Sequence, residues 1–288
     1  EAEYAQLEQI EQLGFVASDA KTKVPAVVLR GKKLVSLAVG GPPAAGAPKR
    51  EPESFLTTER ISWGASNDVL VVAYAVVGLV RTGHYAEAKA AIEFQLKASA
   101  GTYASYVGGL PYKISVVRYY GNGKEESDAN EDGPNIEFDG FGLFLWELEE
   151  YVQASGDTTF LASNWSTIRT GVSDVLVALQ EPSGLIAADS SIWEVHWNGK
   201  QRHFAYTSLT AARGLCGASR LATHAGDTAA AQAYLQAGTR ARDAVFQAMR
   251  TPAGALVQST EGLLAKEHFL DASVVEAMNF GLIYPDRR

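Results

Sequence analysis

The run Asp189-Ser190-Ser191-Ile192-Trp193-Glu194-Val195-His196-Trp197 is where residue types and spacing in this sequence suit bond-breaking chemistry. It sets the carboxyl group of Glu194 between two tryptophans, just ahead of Arg202-His203-Phe204-Ala205-Tyr206-Thr207 and a helical run of small residues. A carboxyl group in that setting is expected to be partly desolvated. Burial disfavours the ionised form, so such a Glu would hold its proton near neutral pH and deliver it to a leaving oxygen as a general acid. Indole faces also suit the apolar C–H faces of a sugar ring, while N–H groups and carboxylates take its hydroxyls. On residue types alone, a surface Glu packed on an aromatic is the commoner arrangement.

A second stretch carries further candidates: Arg118-Tyr119-Tyr120, then Glu131-Asp132-Gly133-Pro134-Asn135-Ile136-Glu137-Phe138-Asp139. Glu137 and Asp139 stand at a predicted helix entry, where acids also favour the helix dipole without binding anything. Glu125, Glu126 and Asp128 lack the Asp-x-Asp-x-Asp-Gly order of a calcium loop and read as a solvated acidic loop. Cys216, alone in Gly-Leu-Cys-Gly-Ala, reads as a small core residue at a close helix contact. The five histidines are scattered and no zinc-type spacing exists, so no metal or cofactor is expected.

The elements that must position these residues are helical. With 288 residues and 47% hydrophobic content the chain can bury a sizeable core. A net charge of -8 and the lack of a Lys/Arg run argue against nucleic acid, and no apolar stretch is long enough to span a bilayer, so no membrane is expected. Thr82-Gly83-His84, Ser155-Gly156-Asp157-Thr158 and Ala225-Gly226-Asp227-Thr228 each close one helix and open the next, at intervals of 73 and 70 residues between the glycines. The pairs 66–81 with 85–98, 137–154 with 160–179, and 206–224 with 229–250 then form three helical hairpins, and 269–282 starts a fourth. Ser66, Asn67 and Asp68 would cap the first helix. Residues 1–60 read as an N-terminal arm with strand character near Val24–Val39, followed by the Gly/Pro-rich linker 40–48, and 61–288 as the helical domain.

The Ser-Ser-Ile-Trp-Glu segment and the aromatic-Thr helix start resemble the general-acid segment of glycoside hydrolase family 15, the glucoamylase and glucodextranase group. The resemblance extends through Asp132-Gly133-Pro134 and Leu270-Asp271-Ala272-Ser273, and departs from the family at Val195, Ser191 and Asn67, where a Glu, an Asp and an Arg are common. It implies an all-α fold, an α/α toroid of six hairpins, of which this chain supplies about three and a half. It implies exo-acting, inverting hydrolysis of α-glucosidic bonds in oligo- or polysaccharides, with Glu194 as the acid. Trp63, Asp68, Tyr119, Tyr120, Asp132, Glu137, Trp193 and Trp197 would bind substrate, with an ordinary N-cap role open for Asp68. The family's base lies beyond the segment matched by 270–285, so a second polypeptide would complete the ring, or the chain is a fragment. A non-catalytic sugar-binding remnant, an α/α-barrel polysaccharide lyase and a purely structural repeat scaffold are the competing readings. Glu1-Ala2-Glu3-Tyr4, which resembles a trimmed secretion leader, and the acceptor triplet Asn164-Trp165-Ser166 point to an extracellular protein.

Overall fold

The computed structural model describes residues 26–30, 33–37, 66–197, 199–267 and 271–283. Trp63, the Gly/Pro-rich stretch 40–48, Phe269 and Leu270 lie outside them. The strand-like part of the N-terminal arm forms an antiparallel hairpin of β1 (Ala26–Arg30) and β2 (Lys33–Leu37). Next, β3 (Ser66–Asp68) runs straight into α1 (Val69–Arg81), followed by α2 (Tyr85–Lys97). A long loop carries four short strands, β4 (Arg118–Tyr120), β5 (Glu125–Glu126), β6 (Ala129–Asn130) and β7 (Gly133–Pro134). The second hairpin is α3 (Asp139–Ser155) with α4 (Thr158–Ile168), a π-helical turn (Arg169–Ser173) and α5 (Asp174–Ala178). The third is α6 (Ala205–His224) with α7 (Thr228–Ala248), and the short helices α8 (Thr260–Leu264) and α9 (Glu276–Asn279) follow.

The hairpin turns repeat in detail. Gly83, Gly156 and Gly226 all take left-handed backbone with φ of 81°, 71° and 77°, a conformation that spares Gly the Cβ clash of other residues. Asp157 and Asp227 then cap the following helices by accepting the N–H of Phe160 (3.0 Å) and Ala230 (3.1 Å). Each of these caps also receives a cation from the preceding hairpin: Lys89 on Asp157 at 2.8 Å, and Arg169 on Asp227 at 3.0 Å. One carboxylate therefore ends a helix and joins two repeats.

Helices α1, α3 and α6 pack side by side, and α2, α4–α5 and α7 back them, which makes an arc of three hairpins of the α/α-toroid type. Central α3 is buried along nearly its whole length, including Phe141, Leu143, Phe144, Leu145, Trp146 and Leu148, and its acids Asp139, Glu147 and Glu149 are buried with it. The tightest joint is between α3 and α6. A methyl group on Gly142 would strike the backbone of Thr210 and Ala211, and one on Gly214 would strike Gly142 itself. Glycine at both positions lets the two backbones touch, which draws the N-termini of both helices together. Cys216 lies at a similar approach, with its Sγ against Gly238 of α7.

Three sequence expectations are corrected. Residues 66–68 form β3 instead of the first turn of a helix, because their backbone pairs with β4 in the register Ser66–Tyr120, Asn67–Tyr119 and Asp68–Arg118. The predicted helix 160–179 is helical along nearly its whole length but takes a π turn in place of regular α geometry where Lys113 N–H bonds the carbonyl of Gly171 (2.9 Å). In place of one helix over 269–282, a 3₁₀ turn (Ala272–Val275) leads into α9, which ends at the left-handed Gly281. This segment folds back on the arc: Tyr74 donates to Glu276 at 2.8 Å, and the rings of Tyr74 and Phe280 each meet Trp146 edge-on at 5.2 Å.

Gly142→Ala is expected to destabilise the protein by about 3 kcal/mol, because the added methyl overpacks a backbone contact that cannot yield. Gly78→Ala on α1, where a Cβ meets nothing within 4 Å, should be neutral or stabilising by up to about 1 kcal/mol. Urea unfolding of the two variants beside the parent checks the contrast; equal effects would remove the glycine joint from the account.

Candidate active site

The Trp-Glu segment is a loop tied at both ends. Ser191–Trp193 makes one 3₁₀ turn, closed by Glu194 in left-handed backbone at φ 49°, with Ser191 also left-handed at φ 48°. Asp189 pairs its N–H and carbonyl with Arg202 (3.1 and 3.2 Å). Ser190 N–H donates to the carbonyl of Ile136 at 2.8 Å and its hydroxyl donates to the carbonyl of Val195. Trp197 N–H donates to the carbonyl of Pro134 (3.0 Å), and His196 Nδ1 lies 3.1 Å from the carbonyl of Gly133. The loop therefore lies along residues 133–138, and the Asp-Gly-Pro and Trp-Glu stretches, distant in sequence, share one edge of the arc. Gly133 permits this contact, since a Cβ there would press on Trp197 at 3.0 Å.

Glu194 itself departs from expectation. Its side chain is 55% exposed and faces Arg118, whose Nη2 lies 3.5 Å from Oε1. The two indoles do not enclose it: Trp193 is 43% exposed, and Trp197 turns to meet Tyr106 edge-on at 5.3 Å. The desolvation expected from the flanking tryptophans is therefore missing in this chain. Arg118 is shared among carboxylates, with Asp128 at 2.8 Å and Glu126 at 3.5 Å as well as Glu194. Asp68 stands opposite Arg118 in the β3–β4 register, so the candidate Asp and the arginine are neighbours on adjacent strands.

The other sequence candidates divide. Tyr119 is corrected: it is 1% exposed, its hydroxyl accepts the Ser115 N–H (2.7 Å), and its ring meets Phe94 in the core, so it cannot line a pocket. Tyr120 is half-buried in β4, and Asp132 is exposed at the tip of the β6–β7 turn with its N–H on Asn130 (2.8 Å). Glu137 is buried, where the Asn135 amide donates to it at 2.7 Å. Glu125 is also no solvated acid. It is 2% exposed and accepts from Tyr112 (2.9 Å), Thr102 N–H (2.8 Å) and Val116 N–H (3.1 Å), folding the loop around itself. Asn164, read as a glycan acceptor, lies inside α4 with its amide on the carbonyl of Phe160 (2.9 Å).

Residues that sequence reasoning did not weigh hold the loop from beneath. Asp189 is fully buried and accepts from Phe138 N–H (2.9 Å) and from the Thr207 hydroxyl (3.0 and 3.1 Å). Burial pushes its carboxyl well above the usual range; the Phe138 bond opposes this and the nearby Asp139 adds to it. Burial raises the hydroxyls of Tyr206 and Tyr74, with Asp139 and Glu276 among the nearby charges. The sequence signal was slight: Asp189 heads the Trp-Glu run and Tyr206 stands in the aromatic-Thr helix start. Among the described residues, no group of three or more His, Cys, Asp or Glu is placed to hold a metal. Two surface grooves, one along α7 at Leu235, Arg240 and Gln247 and one between α2 and α4 at Lys89, Leu96 and Asn164, include no residue of the Glu194 loop.

An arc of helical hairpins whose decorated loops converge at one edge is the glucoamylase-like form of the α/α toroid. Among solved structures the chain is similar to a glycosidase variant with a TM-score of 0.59 at 20% identity, covering 80% of this chain and 60% of the other. It is also similar to a glycosidase variant in complex with glucose, with a TM-score of 0.56 at 20% identity, covering 78% and 58%. A glucoamylase from Saccharomycopsis fibuligera follows, with a TM-score of 0.54 at 13% identity, covering 73% and 46%. The chain thus spans about 60% of the length of the first of these. No family model and no curated protein matches it.

Next to the loop, His203 sits between Glu261 (Nδ1 to Oε1, 2.6 Å) and Glu181 (Nε2 to Oε2, 3.1 Å). The Glu261 hydrogen bond raises the imidazole above its ordinary value. Glu261, despite burial that pushes the other way, is held down to about 2 by the same partner. His203 therefore contributes stability that is full below its unfolded value of about 6.5 and is lost as pH rises through the raised folded value. Glu261 contributes stability that is full above its unfolded value of about 4.3 and is lost as pH falls towards 2. His203→Gln is expected to flatten the alkaline decline and to cost on the order of 1 kcal/mol near pH 6, a modest figure because both glutamates are partly exposed. Urea midpoints of both proteins between pH 5 and about 8 check this; an unchanged slope would detach His203 from the decline.

Proposed function

We propose that this chain is the acid-bearing arc of a glycoside hydrolase that removes sugar from the ends of α-glucosidic chains with inversion. The docking of the Trp-Glu loop onto the Asp-Gly-Pro strand, with a solvent-facing carboxylate at the mouth of a glucoamylase-like arc, carries the reading. In this mechanism Glu194 protonates the glycosidic oxygen as the C–O bond breaks, while a base on the opposite face takes a proton from the attacking water. Inversion requires the two carboxyl groups about 6.5–9.5 Å apart, so that the water fits between them. Glu194 meets Arg118 in the present state, and substrate binding would exchange that ion pair for a contact with the leaving oxygen. The closing of the site by sugar would supply the desolvation that the tryptophans alone do not.

The base belongs to the remainder of a ring, on a continuation of the chain or on a second polypeptide. The domain would begin near residue 61, and an extracellular setting fits a polysaccharide substrate. Trp63, Asp68, Tyr120, Asp132, Glu137, Trp193 and Trp197 remain the candidate sugar contacts. The open setting of Glu194 and Trp193 also favours a second reading, a sugar-binding arc that does not cleave. A lyase is disfavoured, since it needs a basic pocket, and the Arg118 guanidinium lies against the carboxylates of Asp128, Glu126 and Glu194.

Glu194→Gln is expected to lower kcat at least about 100-fold, the range of general-acid contributions, with KM largely kept. Glucose release from α-linked oligosaccharides reads the rate, and NMR of the first anomer formed should show the β form. Near-normal turnover in the variant would remove Glu194 from the role, and binding without release would establish the non-cleaving arc. Denaturing intact mass of the natively purified protein shows whether a second polypeptide is present.

A further inference from the structure

We propose that Asp189 is the positioning residue of the site, the group through which the N-termini of the inner helices α3 and α6 set the direction of Glu194. The inference rests on the hydrolase reading for its catalytic part and on geometry alone for the rest. The Asp189 side chain is fully buried, five residues before Glu194, and its carboxylate meets the starts of both inner helices. Phe138 N–H, at the start of α3, donates at 2.9 Å, and the Thr207 hydroxyl, in the first turn of α6, donates at 3.0 and 3.1 Å.

The loop needs such a tie. Ser191 and Glu194 both hold left-handed backbone at φ 48° and 49°, a conformation costly for residues with a Cβ and kept only where the surroundings over-determine it. Ser191, the first of the two, stands two residues after Asp189, whose backbone N–H and carbonyl pair with Arg202 at 3.1 and 3.2 Å. Loosening Asp189 lets Ser191 relax to ordinary backbone, which swings Glu194 three residues later away from Arg118. Asn at 189 keeps the size but replaces one acceptor oxygen with an NH₂ group, so one of the carboxylate's bonds must reverse or break. Thr207→Val keeps shape and removes one of the two donors.

The test uses the full chain labelled with 5-fluorotryptophan, with the Trp193 resonance assigned through Trp193→Phe, beside steady-state kinetics on an α-linked gluco-oligosaccharide. In Asp189→Asn the Trp193 resonance should shift while those of Trp146 and Trp165 stay, and kcat should fall about 100-fold with KM within about threefold, the loss expected for a reacting group misplaced by about 1 Å. Thr207→Val should move both in the same direction by less. A Trp193 resonance unmoved in both variants overturns the positioning role, and a moved resonance with unchanged kcat overturns its catalytic consequence. If Asp189→Asn fails to fold, with all resonances collapsed, Thr207→Val decides alone. A parent protein that shows no hydrolysis sinks the hydrolase reading only, and the resonances still settle whether Asp189 holds the loop.

Discussion

The contact of bare backbone between α3 and α6 sets the scale for everything at the site. Because Gly142 and Gly214 carry no side chain, the two helices approach until carbonyls and Cα atoms touch. Their N-termini, Phe138 and Thr207, then come close enough for one carboxylate to bridge them. Asp189 occupies that point, and the loop that leaves it carries Glu194. A wider helix separation would leave Asp189 with one partner, and a buried carboxylate with one partner is too costly to keep.

Further from the site, the same economy of carboxylates organises the repeats. Asp157 and Asp227 cap their own helices and take a cation from the hairpin before, so the pitch between hairpins is set by hydrogen bonds as well as by apolar packing. Tyr151 and Trp165 add a hydroxyl and an indole N–H to the same two acids. The C-terminal segment uses another version, with Glu276 held by Tyr74 across the inner face and Phe280 against Trp146. Acids such as these build the frame, buried or multiply bonded, whereas Glu194 is held out to solvent beside a single arginine.

That division bears on the proposed catalysis. A frame carboxylate with several donors cannot serve as an acid without collapsing what it supports. Glu194, exposed and paired with an arginine that has two other carboxylates to satisfy, can leave its partner at little cost. The strain of two left-handed residues, held by ties on both sides, keeps the group oriented.

Much of the frame was legible in the chain itself. The Thr-Gly-His turn and the two Gly-Asp-Thr turns, the apolar runs between them and the spacing near seventy residues determined three helical hairpins, because a left-handed glycine, and in two of them an Asp cap, are local requirements that residue type meets alone. The Trp-Glu and Asp-Gly-Pro stretches were likewise visible as candidates. What the sequence could not show was environment. Tyr119 and Glu125 read as loop residues and are core, since a long loop that folds on itself buries groups by contacts distant along the chain. Residues 66–68 read as a helix cap and became a strand, because β4 arrived to pair with them. Glu194 read as desolvated by its tryptophans, yet backbone direction turned it to Arg118 and solvent. Asp189 looked unremarkable in the chain and sits at the crossing of two helices. Local chemistry determined the elements; burial, register and the partners of each charge depended on which segments met, and only the tertiary structure decides that.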